Sequence, residues 1–275
     1  MIEPLTQRLI EVAYLEDSPY GDLTSELVIP KTKRAMANFI AKEPLVLAGM
    51  PYVTETFAFL TNEFDLEVFK NEGDTCSRGD VIAKVEGLAT DLLRAERIAL
   101  NLLQRLSGIA TLTRAYIDRV KGLPVKIVDT RKTTPGMRLM EKYAVKIGGG
   151  SNHRFGLSDG ILIKDNHIKA AGSITEAVRL ARRSHHLLRI EVEVSEMDQV
   201  KEALDVGVDV IMLDNMDIDK MREAVHFINK RALVEASGGV NLDNVRAIAE
   251  TGVDIISIGA ITHSARAVDI SMKVL

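Results

Sequence analysis

Cationic side chains gather in one stretch of an otherwise acidic chain. From Arg131 to Lys169 there are eight Lys and Arg (Arg131, Lys132, Arg138, Lys142, Lys146, Arg154, Lys164 and Lys169) against three acids, Glu141, Asp159 and Asp165. The 275 residues as a whole carry a formal net charge of −4. A local surplus of this kind suits an anionic small molecule. Its rival is a solvated helix face, which Lys142 and Lys146 fit. Arg131-Lys132, His153-Arg154 and Lys164 do not fit one, because each abuts an apolar run or a glycine cluster.

Carboxylates and small residues complete the chemistry. Glu193 and Asp214 close two further apolar runs, and a carboxylate pair facing a phosphate can share Mg²⁺ with substrate oxygens. Glu191 has the same parity as Glu193, and the sequence does not rank the two. Ser237-Gly238-Gly239 and Gly259-Ala260 follow the last two runs. Their backbone amides suit a phosphate seat leading into helix N-termini, with Asn241 as a cap; the plain alternative is turn glycine. His153 leaves the glycine run 148–150 beside Arg154, and is either structural or part of the site. The same choice applies to His167, whereas His185, His186 and His226 read as surface residues.

The elements that must position these groups follow from periodicity. Residues 4–16 form an amphipathic helix, 17–30 a turn-rich connection, 33–43 a half-buried strand, 53–60 a helix and 64–69 a strand. Two Gly-Asp turns then surround short strands up to residue 87, which makes the first third an α+β module. From 89 to 121 the pattern is helical, and its length predicts two helices divided near Ser107-Gly108, carrying Arg94, Arg97 and Arg105 as solvated charges. From residue 125 apolar runs at 125–129, 160–164, 188–194, 208–213, 232–237 and 253–258 alternate with helices at 174–183, 197–204, 216–230 and 242–250. ALDVGVDVIML and IAETGVDIISI repeat one helix–turn–strand unit. At least six such runs favour a closed or nearly closed parallel β/α barrel. A doubly wound sheet is the alternative, weakened by the lack of a GxGxxG or GxxxxGK[ST]. We place the boundary at 110, with the barrel over 111–275 and a C-terminal segment that packs back on the first module.

Composition narrows the function. Hydrophobic residues are 46%, charged 27%, and aromatics only 4% with no Trp, which argues against a base-stacking nucleic-acid surface. No long apolar run or basic leader is present, so a cytoplasmic protein is expected, with neither membrane nor nucleic-acid partner. One cysteine, Cys76, fits a reducing compartment and reads as a loop residue without a role.

The words DTRKT, EKYAV, GGGSNHR, GLSDG, LIKDNH, EVEV, LDN, EASGG and ISIGA occur in that order from residue 129 to 260. With GDLTS, VLAG, VEG and AERIALNLLQRLSGIAT before them, the chain resembles the quinolinate phosphoribosyltransferases over nearly its whole length. Pro44 departs from the glycine expected in the preceding turn. The resemblance implies an N-terminal α+β sandwich module and an incomplete, roughly seven-stranded barrel. It also implies transfer of phosphoribose from phosphoribosyl pyrophosphate to quinolinate with decarboxylation, requiring Mg²⁺. Quinolinate would be held by Arg131, His153, Arg154 and Lys164, with Arg97 supplied across a homodimer, or a higher oligomer. Lys132, Glu193 and Asp214 would be catalytic, the last two also metal ligands. Ser237, Gly238, Gly239 and Gly259 would hold the 5′-phosphate. Two rivals remain at this point: a barrel aldolase with Lys164 as Schiff base, and a silent relative that only binds phosphoribosyl ligands.

Overall fold

The computed structural model describes residues 4–183 and 187–275, so His185 and His186 lie outside the described residues. In chain order the elements are α1 (Pro4–Asp17), α2 (Leu23–Val28), β1 (Arg34–Ala41), β2 (Leu45–Val46), α3 (Met50–Leu60), β3 (Phe64–Val68), β4 (Thr75–Cys76), β5 (Val81–Leu88) and α4 (Ala89–Arg119). There follow β6 (Lys126–Val128), α5 (Arg138–Ile147), β7 (Ile161–Ile163), α6 (Asp165–Ala171), α7 (Ile174–Ala181), β8 (Ile190–Val194) and α8 (Met197–Asp205). The last are β9 (Val210–Asp214), α9 (Ile218–Ile228), β10 (Leu233–Ser237), α10 (Val245–Ala249), β11 (Ile255–Ser257), α11 (Ala260–His263) and β12 (Ile270–Val274). The fold is mixed α/β, with a parallel six-stranded sheet and an antiparallel four-stranded one.

Two compact units result. The first comprises Met1–Arg114, Thr133–Gly149 and Ile261–Leu275; the second comprises Ala115–Lys132 and Gly150–Ala260. The boundary expected at 110 falls inside α4, and 133–149 and 261–275 lie with the first unit. The C-terminal strand is recruited by backbone pairing, since β12 runs antiparallel along β1 with Phe39 opposite Met272.

In the first unit the antiparallel sheet has the order β12-β1-β5-β3. Strand β1 alternates as its sequence requires, burying Ala37, Phe39 and Ala41. Phe39 meets Phe57 of α3 edge-on, 6.3 Å between centroids. Leu92, Ala95, Ala99 and Leu103 of α4 recur at helical spacing in the same core. Cys76 is fully buried in that core, which corrects its reading as a loop residue.

Three other expectations are corrected here. Residues 17–30 contain a helix, α2, because Asp22 caps it by accepting the Ser25 N–H. Arg105 is not a solvated charge: it pairs at 2.9 Å with the fully buried Glu141 and also donates to the carbonyls of Thr262 and Ala265. Lys142 is likewise buried rather than part of a solvated face.

Helix α4 is also unbroken over 31 residues. Gly108 marks a close approach instead of a division, since a Cβ there would stand 2.0 Å from the Arg266 carbonyl oxygen. Glycine in a helix interior costs roughly 1 kcal/mol relative to Ala, and here that cost permits backbone contact.

The second unit holds the parallel sheet, in the order β6-β11-β10-β9-β8-β7. Strands β7 to β11 stand beside one another in sequence order, without the strand-order reversal that defines a doubly wound sheet. The repeated unit noted in the sequence is α8–β9 and α10–β11. Register places Asp214 opposite Ser237, and Met212 between Glu193 and Glu235.

Replacing Gly108 with Ala is expected to lower stability by at least about 2 kcal/mol through overpacking against a backbone carbonyl. The midpoint of denaturant unfolding, compared with that of Ser264→Ala at an exposed position, measures it.

Candidate active site

Strand ends of the parallel sheet carry the groups singled out above, and buried polar contacts fix where they stand. Asp129, just beyond β6, is fully buried and accepts from Asn152 Nδ2 (2.6 Å) and from the His153 N–H (2.9 Å). A carboxylate out of water needs such donors, and meeting that need anchors 152–153 to the end of β6. Arg154 follows, with Nη1 donating to the Gly160 carbonyl at 2.8 Å. Asp159 closes the intervening turn by accepting the N–H groups of Phe155 and Gly156. Lys164 ends β7 as the N-cap of α6. Its N–H donates to His167 Nδ1 at 2.9 Å, so His167 is a capping residue.

Together these residues line a cavity of about 610 Å³. Arg131, Lys132, Arg154 and Lys164 supply positive charge; Glu193 and Asp214 supply negative charge; Ser237, Gly238 and Gly239 supply small residues and backbone. His153 is also in the wall. Of the residues expected at the site, Arg97 is exposed on α4 and Gly259 follows β11; neither is among those lining this cavity. Sequence reasoning passed over Glu235 and Ser257, which do line it. Glu235 had a signal: it shares parity with Ser237 in an otherwise apolar strand.

Like charges crowd here. Burial, followed by the neighbouring charge of Arg131, pushes the Arg154 pKa down from its ordinary value. Lys164 Nζ lies 2.8 Å from Glu193 Oε2. The partly buried Arg154 guanidinium beside that of exposed Arg131 forms a seat for an anion, and the Arg fork suits a carboxylate.

Beneath the cations lies a buried cluster. His153 Nε2 is 3.1 Å from Glu191 Oε2 and 3.6 Å from Glu235 Oε2. Burial alone would depress the imidazole pKa, but the two carboxylates outweigh it and push it up to about 10. Burial raises the Glu191 pKa, and Glu191 lies within hydrogen-bonding reach of Glu235. The Arg154 backbone N–H stands 2.8 Å from His153 Nδ1. A His-Glu-Glu set whose ligand atoms lie within 4.8 Å of one another is also one that Zn²⁺ uses.

The first part of the chain, residues 22–107, matches the model of the quinolinate phosphoribosyl transferase N-terminal domain, and residues 109–273 match that of the C-terminal domain. This chain belongs to the quinolinate phosphoribosyltransferase family. It is 46% identical over 269 residues to a probable nicotinate-nucleotide pyrophosphorylase (carboxylating) of Bacillus subtilis, covering 98% of this chain and 93% of that one. A quinolinate phosphoribosyltransferase (decarboxylating) of Nicotiana tabacum is 41% identical, over 98% of this chain and 82% of the relative. The crystal structure of nicotinate-nucleotide pyrophosphorylase from Ehrlichia chaffeensis superposes with a TM-score of 0.95 at 41% identity, covering 100% and 99% of the two chains.

In this family member Asn215 links an acid to the glycine loop. It has φ 55°, its Nδ2 donates to Asp214 Oδ2 at 2.9 Å, and its N–H donates to the Ser237 carbonyl. Gly238 has φ +91°, and a Cβ there would lie 2.3 Å from Asn215 Oδ1. Gly238→Ala is expected to lose about 1–2 kcal/mol from the left-handed backbone. By displacing Asn215 and Asp214 it should also lower kcat/KM by about 100-fold. Denaturation and steady-state kinetics on the same preparation read both effects.

Proposed function

We propose that this protein transfers the phosphoribosyl group of phosphoribosyl pyrophosphate to quinolinate, releasing pyrophosphate and CO₂ and forming nicotinate mononucleotide. The observation that carries the reading is the pairing of Arg131 and Arg154 in one cavity with Glu193, Asp214 and the Ser237-Gly238-Gly239 loop. Two adjacent carboxylates on a pyridine ring are the anion such a guanidinium pair would hold. Arg131, Arg154 and Lys164 serve that end, His153 forms part of the floor, and the glycine loop with Gly259 takes the 5′-phosphate. The pairing of Lys164 with Glu193 also favours the transferase over an aldolase with Lys164 as nucleophile.

In the first step the pyridine nitrogen lone pair forms a bond to the anomeric carbon as the bond to pyrophosphate breaks. Positive charge develops on the ribose ring, and the carboxylate of Asp214, held by Asn215, stabilises it. Lys132 balances charge on the departing pyrophosphate. In the second step the bond from ring carbon 2 to its carboxylate breaks. The electron pair stays on that carbon beside the cationic ring nitrogen, CO₂ leaves and the carbon takes a proton. Orientation by Arg131 and Arg154 suffices for this step, in keeping with a cavity that contains no Cys or Ser–His pair.

The donor chemistry also fits Mg²⁺. Glu193 and Asp214 lie on adjacent strands and line the same cavity, and Mg²⁺ is commonly held by one or two carboxylates with the remaining positions left to water and substrate phosphate. Bound there, it would neutralise the leaving pyrophosphate.

Further parts of the reading concern architecture and assembly. Six parallel strands and a parallel bridge from Val128 to Ser151 support an incomplete barrel with about seven strands. Exposed Arg97 on α4 supports a homodimer in which it completes the quinolinate pocket of the partner. Among the described residues no helix is long and apolar enough to cross a membrane, and the lone cysteine is unbridged. Both agree with a cytoplasmic enzyme.

A steady-state assay with quinolinate, phosphoribosyl pyrophosphate and Mg²⁺, following nucleotide and CO₂, tests the activity, with nicotinate as competing acceptor. Turnover with quinolinate alone is expected; turnover with nicotinate alone would void the dicarboxylate pocket. Arg131→Ala should weaken quinolinate binding by about 2–5 kcal/mol, the cost of removing one partner of a desolvated charge pair. Unchanged affinity would remove Arg131 from the pocket. Mixing Arg97→Ala with Arg131→Ala protein should restore turnover that neither has alone, whereas no recovery would place both arginines in one subunit's pocket.

A further inference from the structure

Arg154 has a task in the pocket, but the words that follow it in the sequence, FGLSDG, have none so far. Residues 154–160 leave the strand-end anchor at Asn152 and His153 and return to the start of β7. We propose that Asp159 is a positioning residue for quinolinate, acting on the Arg154 guanidinium through the turn it closes. The proposal rests on the reading of the pocket given above and deepens it.

Three observations lead to it. First, Asp159 uses both carboxylate oxygens on the turn itself. Oδ2 accepts the Phe155 N–H at 2.6 Å, and Oδ1 accepts the Gly156 N–H at 2.7 Å. Such charge-assisted bonds are about twice as strong as neutral ones. Apolar burial contributes little to the shape of this turn, because Phe155 is 41% exposed and Leu157 73%. Asp159 is itself exposed, so its substitution leaves the core of the protein untouched.

Second, the closed turn returns Gly160 to Arg154. Nη1 of the arginine donates to the Gly160 carbonyl at 2.8 Å. The aliphatic stem packs on the same glycine, where a Cβ would stand 3.4 Å from Arg154 Cβ and 3.6 Å from Cδ. Gly160 directly precedes β7, whose Ile161 pairs with Ile190 of β8, so the acceptor is fixed to the parallel sheet. A guanidinium has five N–H groups, and this tie leaves the rest of the fork for a carboxylate.

Third, the guanidinium needs holding. Burial and then the charge of Arg131 oppose the Arg154 cation, whereas the charges of Glu191 and Asp159 favour it. Of these two acids, Asp159 belongs to the loop that carries Arg154. An arginine ordered before the substrate arrives spares binding the cost of immobilising it.

The test compares Asp159→Ala, which removes both acceptors, with Asp159→Asn, which keeps one oxygen. Asp159→Ala is expected to raise the quinolinate KM by about tenfold, the scale of ordering one long side chain. Asp159→Asn should raise it about threefold, and the KM for phosphoribosyl pyrophosphate should stay within about twofold in both. If Asp159 acts through Arg154, adding Asp159→Ala to Arg154→Ala should change kcat/KM for quinolinate by no more than about twofold. Nitrogen NMR of ¹⁵N-arginine-labelled protein without substrate reads the side chain itself, with Arg154→Ala giving the assignment. Rotation of the Arg154 guanidinium should be slow in the wild type and fast in Asp159→Ala.

An unchanged quinolinate KM in Asp159→Ala would overturn the proposal, as would the full tenfold loss recurring in the Arg154→Ala background. An equal rise in both KM values, or a guanidinium equally mobile with and without Asp159, would do the same. The NMR readout needs no turnover. A wild type inactive towards quinolinate would therefore sink the functional reading, while the spectra still decide whether Asp159 orders Arg154.

Discussion

The site depends on a carboxylate taken wholly out of water. Asp129 at the end of β6 must find hydrogen-bond donors, and it takes them from the Asn152 side chain and the His153 amide. That one requirement brings a segment more than twenty residues away in sequence to the end of the strand, and with it His153 and Arg154. The adjoining backbone follows, since Ser151 donates to Ile127 and accepts from Asp129. Without the buried carboxylate the Asn152 side chain and the His153 amide would lose the acceptor that holds them at the strand end.

Electrostatics is layered around this anchor. Arg131, Lys132, Arg154 and Lys164 line the cavity, and Glu191 and Glu235 lie buried beneath them with His153 between. Neither layer is stable in isolation: guanidiniums repel each other, and buried carboxylates oppose their own ionisation. Each lowers the cost of the other. The cavity wall thus holds Arg131, Lys132, Arg154 and Lys164 together with Glu193 and Asp214 on neighbouring strands, and Lys164 joins the two sets through Glu193.

Most of the site was legible in the chain, for a simple reason. Parallel strands present their carboxyl ends on one side, so residues that close consecutive apolar runs must meet there. Arg131, Lys164, Glu193, Asp214 and Ser237 are each such a residue. Glu235 was hidden by lying one alternation inside its strand, where an acid looks like an irregularity in an apolar run. Asn215 was visible as a neighbour of Asp214, but its left-handed backbone and its contact with the Gly238 position were not. His167 read as either structural or functional, and the hydrogen bond from the Lys164 amide settled it as a cap.

By itself the sequence determined the order of elements, the parallel character of the second half and the chemical types gathered at the strand ends. Period and polarity are local properties, and local geometry turns them into helices and strands. What only the tertiary structure decided were matters of long-range contact. Gly108 looked like a helix break until the carbonyl of Arg266 filled the space its missing side chain leaves. Arg105 and Lys142 looked like solvated charges until Glu141 was buried beside Arg105 and the fold closed over Lys142. His153 read as either structural or part of the site, and only the fold set its ring beside Glu191 in the cavity wall. A side chain's type states which partners it can take; only the folded chain determines which of them arrive within 3 Å.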